Sequence, residues 1–205
     1  MNLTEDLRRH RLLAIVRGTD ARATVATCAT LADVGVRMIE VSLTTPKAFA
    51  VLAEVASALG SRVLLGAGTV LAADDVQRVR DSGANYVVTP ALAPSIARAR
   101  ELGMPVLAGA LTPSEIVAAR AAGASAVKIF PASVFGPPYL KAVLEPLPDV
   151  ALVPVGGVGL DSVGEYLDAG AVAVGVGSPL CGDAPDGGSQ AALAERARRF
   201  LVRLR

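Results

Sequence analysis

Val106-Leu107-Ala108-Gly109-Ala110-Leu111, then Thr112-Pro113-Ser114-Glu115, then, past Gly123, Ala126-Val127-Lys128-Ile129-Phe130-Pro131: this stretch holds one complete structural unit. The first run is apolar and too short for a helix, so it reads as a buried strand. Thr112 stands before a proline and three residues ahead of Glu115, the arrangement that caps and starts a helix. An Ala-rich amphipathic stretch follows and stops at Gly123, the residue type that closes a helix in the left-handed conformation. The next apolar run is the next strand.

The same unit recurs along the whole chain, with a strand about every 20 to 25 residues. Strands are predicted at Leu12–Arg17, Met38–Leu43, Val63–Val70, Tyr86–Ala91, Val106–Leu111, Ala126–Pro131, Ala151–Gly157 and Val172–Ser178. Gly35, Gly60, Gly83, Gly103, Gly123 and Gly170 each precede a strand as helix-closing residues. Asp161 is the expected cap of the seventh helix. Eight evenly spaced strand–helix units predict a single-domain α/β (β/α)8 TIM barrel over residues 1–205; the alternative is a doubly wound open sheet. Because 205 residues are few for a barrel, the loops must be compact. No linker or charge block divides the chain. Gly182–Ser189 is the one loop-like insertion, and Arg196–Arg205 ends a helix with a solvated basic face.

Composition removes several function classes. Twenty Lys+Arg against 19 Asp+Glu leave a net charge of +1, so no electrostatic footprint for nucleic acid is present. The chain has no Trp and few aromatics, which argues against base stacking. One His, His10, within a basic helix is a poor base for a triad, and two distant cysteines, Cys28 and Cys181, do not make a zinc site or a disulfide framework. No metal or cofactor is implied. The first apolar run, Leu12 to Val16, is too short for a signal core, and no run reaches membrane-spanning length. A cytoplasmic protein with no membrane partner is expected.

In a barrel the active site lies at the C-terminal ends of the strands. The sequence has 17 Arg and only three Lys, so Lys128 in an apolar strand calls for a reason. Alternation places Ala126, Lys128 and Phe130 on one face. If that face is the barrel interior, desolvation favours the neutral amine, which can attack a ketone and form a Schiff base. A buried Lys that merely pairs with a carboxylate has the same sequence signature. Glu40 is the lone charge in Met38–Leu43; it is a candidate proton carrier, or simply the counter-charge of Lys128. Gly156-Gly157 and Gly177-Ser178, at the ends of strands seven and eight, suit a phosphate cradle, a recurrent use of those two loops. Ordinary turn glycines would look similar. Thr69 is a candidate donor to a substrate carboxylate, and Arg17 a cation for a carboxylate or phosphate at the barrel mouth, or else a surface residue. Thr89-Pro90 is uninformative alone. Together these residues point to Schiff-base chemistry on a phosphorylated keto compound.

Ile39-Glu40-Val41-Ser42-Leu43, Gly66-Ala67-Gly68-Thr69-Val70, Val88-Thr89-Pro90, Val127-Lys128-Ile129-Phe130-Pro131-Ala132 and Val155-Gly156-Gly157-Val158 occur in order. As a set they resemble the class I aldolases that cleave 2-keto-3-deoxy-6-phosphogluconate or 4-hydroxy-2-oxoglutarate to release pyruvate. The resemblance implies Lys128 as the Schiff-base lysine and Glu40 as general acid/base. It further implies Thr69, Pro90 and Phe130 around the pyruvyl group, and Gly156, Gly157, Gly177 and Ser178 around the phosphate. A cofactor-free homotrimer acting on a phosphorylated 2-keto acid is implied as well. Members acting on the gluconate compound usually carry an Arg where this chain has Thr44; Arg17 or backbone donors would then meet the carboxylate. Arg17 and the run Phe135-Gly136-Pro137-Pro138-Tyr139 look closer to the branch acting on the galactonate epimer. Two competing readings remain: a phosphosugar isomerase or epimerase without a covalent intermediate, and a non-catalytic phosphate-ligand sensor.

Overall fold

The computed structural model describes residues 1–204. Eight parallel strands alternate with helices: β1 (Leu12–Val16), β2 (Met38–Ser42), β3 (Leu64–Gly68), β4 (Tyr86–Val88), β5 (Val106–Ala110), β6 (Ala126–Ile129), β7 (Leu152–Pro154) and β8 (Val174–Val176). The helices are α1 (Leu3–His10), α2 (Ala21–Asp33), α3 (Ala48–Leu59), α4 (Ala73–Asp81), α5 (Pro94–Glu101), α6 (Pro113–Ala121), α7 (Gly136–Leu144), α8 (Val163–Asp168), α9 (Ser178–Cys181) and α10 (Gln190–Arg203). The sheet runs β7-β6-β5-β4-β3-β2-β1-β8. Val155 bridges Gly175 across the remaining seam, so the barrel closes almost completely. This is the (β/α)8 fold, and the open-sheet alternative is set aside. No described helix is long and apolar enough to cross a membrane.

The local signals act as their chemistry requires. Thr112 and Glu115 form a reciprocal capping box at α6. The six glycines expected to close helices all have positive φ. Asp161 does not cap the seventh helix. Ser162 occupies the N-cap of α8, and its hydroxyl is turned back to bond Gly159 instead. Several strands are shorter than expected, above all β7 and β8, because the apolar run continues into loop that pairs only through the single bridge. Of the expected basic terminus Arg196–Arg205, Arg205 lies outside the described residues.

Two cores result. The larger lies between the outer faces of the strands and the surrounding helices. The smaller fills the barrel with Leu13, Met38, Tyr86, Leu107, Ala126 and Val153, joined by Leu3 and Leu7 of α1. Those two leucines sit one turn apart on α1, so one face of that helix stops the N-terminal end of the barrel. The Thr4 hydroxyl donates to the Ser125 carbonyl just before β6 (2.7 Å), fixing the stopper to the rim. Acidic Glu5 and Asp6 in its first turn and Arg8, Arg9 and His10 in its last complement the helix dipole. With one end stopped, the barrel is open only where the strands finish.

Candidate active site

A cavity of about 330 Å³ occupies that open end. Its lining includes Lys128 of β6 and Phe130 just after it, Arg17 after β1, Thr69 after β3 and Pro90 after β4. Gly156 and Gly157 from the β7 loop and Gly177 and Ser178 from the β8 loop complete the wall. Nine of the ten residues singled out by sequence therefore meet in one space. Glu40, the tenth, does not line it. Glu40 pairs in register with Ile15, which is on the cavity wall. A larger, shallower groove of about 590 Å³ runs along α10 beside Leu160 and Asp161, but it contains none of these residues.

Lys128 is 6% exposed, pairs in register with Gly109 and Val153, and holds its Nζ 5.3 Å from the Phe130 ring centre. Gly109 leaves no side chain opposite the lysine. The Thr89 hydroxyl accepts the Gly109 N–H (3.0 Å) and donates to the Ala91 carbonyl (2.7 Å), folding the end of β4 inward. Pro90 thereby covers Gly109 so closely that a Cβ there would lie 2.2 Å from the proline carbonyl carbon. Thr89-Pro90 thus shapes the pocket floor, which the sequence alone does not disclose.

Glu40 is 1% exposed, and its Oε2 is buried with no hydrogen-bond partner. Among the described residues it forms no ion pair within 4.0 Å, so it is not the counter-charge of Lys128 in this structure. Gly68 explains how it fits: a Cβ on that glycine would stand 1.8 Å from Glu40 Oε1. Gly66 does the same for Tyr86, whose ring would lie 2.2 Å from an added Cβ. Tyr86 donates to the Ile39 carbonyl (3.2 Å). Burial pushes its phenol well above the ordinary range, and the nearby Glu40 carboxylate pushes the same way, so it remains a neutral donor. The two glycines of Gly66-Ala67-Gly68 are therefore space for a carboxylate and a phenol inside the barrel.

At the other wall, Gly156 and Gly157 have φ of 90° and 77°, a conformation that side chains disfavour. The Ser133 N–H donates to the Gly156 carbonyl (3.0 Å), tying this turn to the loop after β6. Gly177 and Ser178 open the short α9, whose last carbonyls are held from α10 by Arg196, at 2.9 Å to Leu180 and 2.8 Å to Cys181.

The sequence predicts the Gly182–Ser189 stretch only as a loop-like insertion. It is not a bare insertion: Gly182 and Asp186 line the cavity, and Ala184–Asp186 forms a 3-10 turn. The Asp186 carboxylate accepts both the Thr19 N–H (2.6 Å) and the Thr19 hydroxyl (2.8 Å), stitching the turn to the loop that carries Arg17. Those two bonds hold its carboxyl below the usual range. No motif marks this contact, which depends on two loops that are far apart in sequence.

A buried lysine, an unpaired buried carboxylate and a glycine-walled cavity, on a barrel, invite comparison with known enzymes. The family model described as KDPG and KHG aldolase matches residues 3–186. The chain belongs to this aldolase family. It is 38% identical to the 2-dehydro-3-deoxy-6-phosphogalactonate aldolase of Escherichia coli (strain K12), over 82% of this chain and 83% of that one. It is 34% identical to the 2-dehydro-3-deoxy-phosphogluconate aldolase of Haemophilus influenzae, over 80% and 78% of the two chains. Among solved structures it resembles one described as native KDPGal, with a TM-score of 0.88 and 36% identity over 94% of this chain and 93% of that one. Aldolases are carbon–carbon lyases, and that is the reaction class of this chain.

Proposed function

We propose that this aldolase is of class I and works through a Schiff base on Lys128. Its substrates would be the 6-phosphorylated 2-keto-3-deoxy acids of gluconate or galactonate, cleaved reversibly to pyruvate and glyceraldehyde 3-phosphate. The same chemistry would cleave 4-hydroxy-2-oxoglutarate to pyruvate and glyoxylate. The carrying observation is the buried Lys128 amine in the cavity, together with a buried carboxylate, Glu40, that pairs in register with Ile15 of the cavity wall, forms no ion pair and has an unpartnered oxygen. A buried polar atom without a partner calls for a reason, and proton exchange with a substrate or a water supplies one.

The Lys128 amine adds to the C2 ketone and water leaves, giving an iminium. Glu40, directly or through a water, takes the proton of the C4 hydroxyl. The electron pair left on the C4 oxygen forms the aldehyde carbonyl, the C3–C4 bond breaks, and its electron pair moves into the iminium to give an enamine. Glu40 returns a proton to C3, and water hydrolyses the iminium to release pyruvate and regenerate the amine. Gly156, Gly157, Gly177 and Ser178 would hold the phosphate by backbone and hydroxyl donors, with Thr69, Pro90 and Phe130 around the pyruvyl end and Arg17 at the mouth. Thr44, the Phe135–Tyr139 run and the similarity to a phosphogalactonate aldolase favour the galactonate epimer.

Exposed Leu71, Leu92, Val134 and Phe135 follow β3, β4 and β6 at the open end, an apolar rim suited to the subunit contacts of a homotrimer. The two unpaired cysteines, Cys28 and Cys181, suit a reducing, cytoplasmic setting.

The test is borohydride reduction in the presence of pyruvate, followed by intact mass and peptide mapping. A reduced pyruvyl adduct on Lys128 is expected, and the Lys128→Ala variant should show neither adduct nor turnover. A folded protein that binds phosphosugar but forms no adduct would overturn the covalent mechanism in favour of isomerase, epimerase or sensor chemistry.

A further inference from the structure

Ser42 ends β2 on the face that also carries Met38 and Glu40, and it is completely buried. Its hydroxyl lies 3.1 Å from the Thr69 hydroxyl and 2.8 Å from the Thr44 hydroxyl, and it also accepts the Thr44 N–H at 3.4 Å. Thr69 lines the cavity, whereas Thr44 is exposed at the rim. Three hydroxyls thus run in a chain from cavity to solvent. The cavity end of that chain is conformationally unusual. Thr69 has φ +61°, a region that β-branched residues rarely enter and that persists only where the surroundings impose it. Backbone bonds on either side impose it here: Leu43 N–H to the Gly68 carbonyl (2.8 Å) and Val70 N–H to the Val88 carbonyl (3.2 Å).

A serine hydroxyl has one proton to give and two lone pairs to fill. With one lone pair facing the Thr44 N–H, Ser42 donates to one threonine and accepts from the other. The chain therefore has two orders. In the outward order Thr69 donates to Ser42 and offers the cavity only lone pairs. In the inward order Thr44 donates to Ser42, Ser42 donates to Thr69, and the Thr69 proton is free to point into the cavity. A carboxylate or keto oxygen can only accept, so its presence selects the inward order.

We infer that Ser42 and Thr44 are positioning residues that hold Thr69 as a hydrogen-bond donor to an acceptor-only oxygen of the bound keto acid. This inference rests on the proposed aldolase reading of the cavity. It assigns substrate recognition to a neutral hydroxyl chain at the end of β2 and makes Ser42, which touches no substrate, matter through Thr69 alone.

The experiment is a double-mutant cycle on the retro-aldol reaction, with Ser42→Ala, Thr69→Val and the pair, each checked for folding by circular dichroism. Losing a hydrogen bond of this kind without leaving a buried charge costs roughly a five- to tenfold rise in KM. Ser42→Ala should raise KM by about that factor while kcat changes by less than about threefold. Thr69→Val should do at least as much, and the double variant should be no worse than Thr69→Val, because residues acting through one another are not additive. Should Ser42→Ala fail to fold, the exposed Thr44→Val carries the test, with a smaller rise in KM in the same direction. Effects that multiply in the double variant, or an unchanged KM in either single variant of Ser42 or Thr44, would overturn the inference while leaving the aldolase reading intact. A wild-type enzyme that neither traps pyruvate nor cleaves keto acid would instead overturn the aldolase reading, and this inference with it.

Discussion

Gly68 shows how tightly single residues are specified in this barrel. Its hydrogen atoms face the Glu40 carboxylate, and the parallel register holds Glu40 opposite Gly66 and Ser42 opposite Gly68. An alanine Cβ at position 68 would fall 1.8 Å from Glu40 Oε1, so the carboxylate would have to swing away. Neither strand can slide to relieve the clash, because both lie in the middle of the sheet. Overpacking of this kind costs about 1–3 kcal/mol of stability, which a domain of this size survives. Displacing a reacting group by about 1 Å costs about a hundredfold in rate. Gly68→Ala is therefore expected to fold, to melt a few degrees lower, and to lose about a hundredfold in kcat. The borohydride adduct should still form, since Lys128 sits on the sixth strand. A variant with normal kcat would show that the Glu40 carboxylate is free to move and does not depend on its packed position.

At the level of elements, the eight-unit pattern is plain in the sequence because many of the helices are bounded by chemistry that acts locally, such as the Thr112–Glu115 box and the glycine that closes α6. The site residues carried by strands were legible for the same reason: alternation alone puts Lys128 and Phe130 on one face. Other features depend on neighbours far away in the chain and left no local trace. The unpaired state of Glu40 depends on which groups the closed barrel brings around it. The role of Leu3 and Leu7 as a stopper requires the barrel to exist first. The Asp186–Thr19 tether joins loops that only closure of the barrel brings together. That tether has a pH dependence of definite sign. The Asp186 carboxyl is held below its ordinary value by the Thr19 donors, so its contribution is present above the unfolded value of about pH 4. It is lost as pH falls through the lower folded value. The Thr19 amide is thus expected to stay protected from hydrogen exchange down through pH 4 and to lose that protection only below it. In Asp186→Ala the protection should be absent at neutral pH. Equal protection in the two proteins would mean that Pro185 packed on Gly18 holds the loop without the carboxylate.

For the whole molecule, the barrel separates what stabilises it from what reacts. Leu7 is completely buried among the interior residues at the stopped end, while the cavity opens at the opposite end, beyond interior side chains that include Tyr86. A Leu→Ala change in a packed core removes about 3–5 kcal/mol, through lost transfer energy and the cavity left behind. For a chain of about 200 residues each kcal/mol moves the midpoint by about 2–4 °C, so Leu7→Ala should lower Tm by roughly 6–20 °C. At 25 °C nearly all molecules remain folded, and the interior is a close-packed solid rather than a fluid that would pass a local void to the far rim. The expected result is a markedly lower Tm with kcat and KM within about twofold of the parent at 25 °C, measured by calorimetry and steady-state kinetics on the same preparation. A drop in kcat at 25 °C without partial unfolding would mean that the stopper sets the position of Tyr86 and, through it, of Glu40. The two ends of the barrel would then be one mechanical unit, and α1 would belong to the site as well as to the fold.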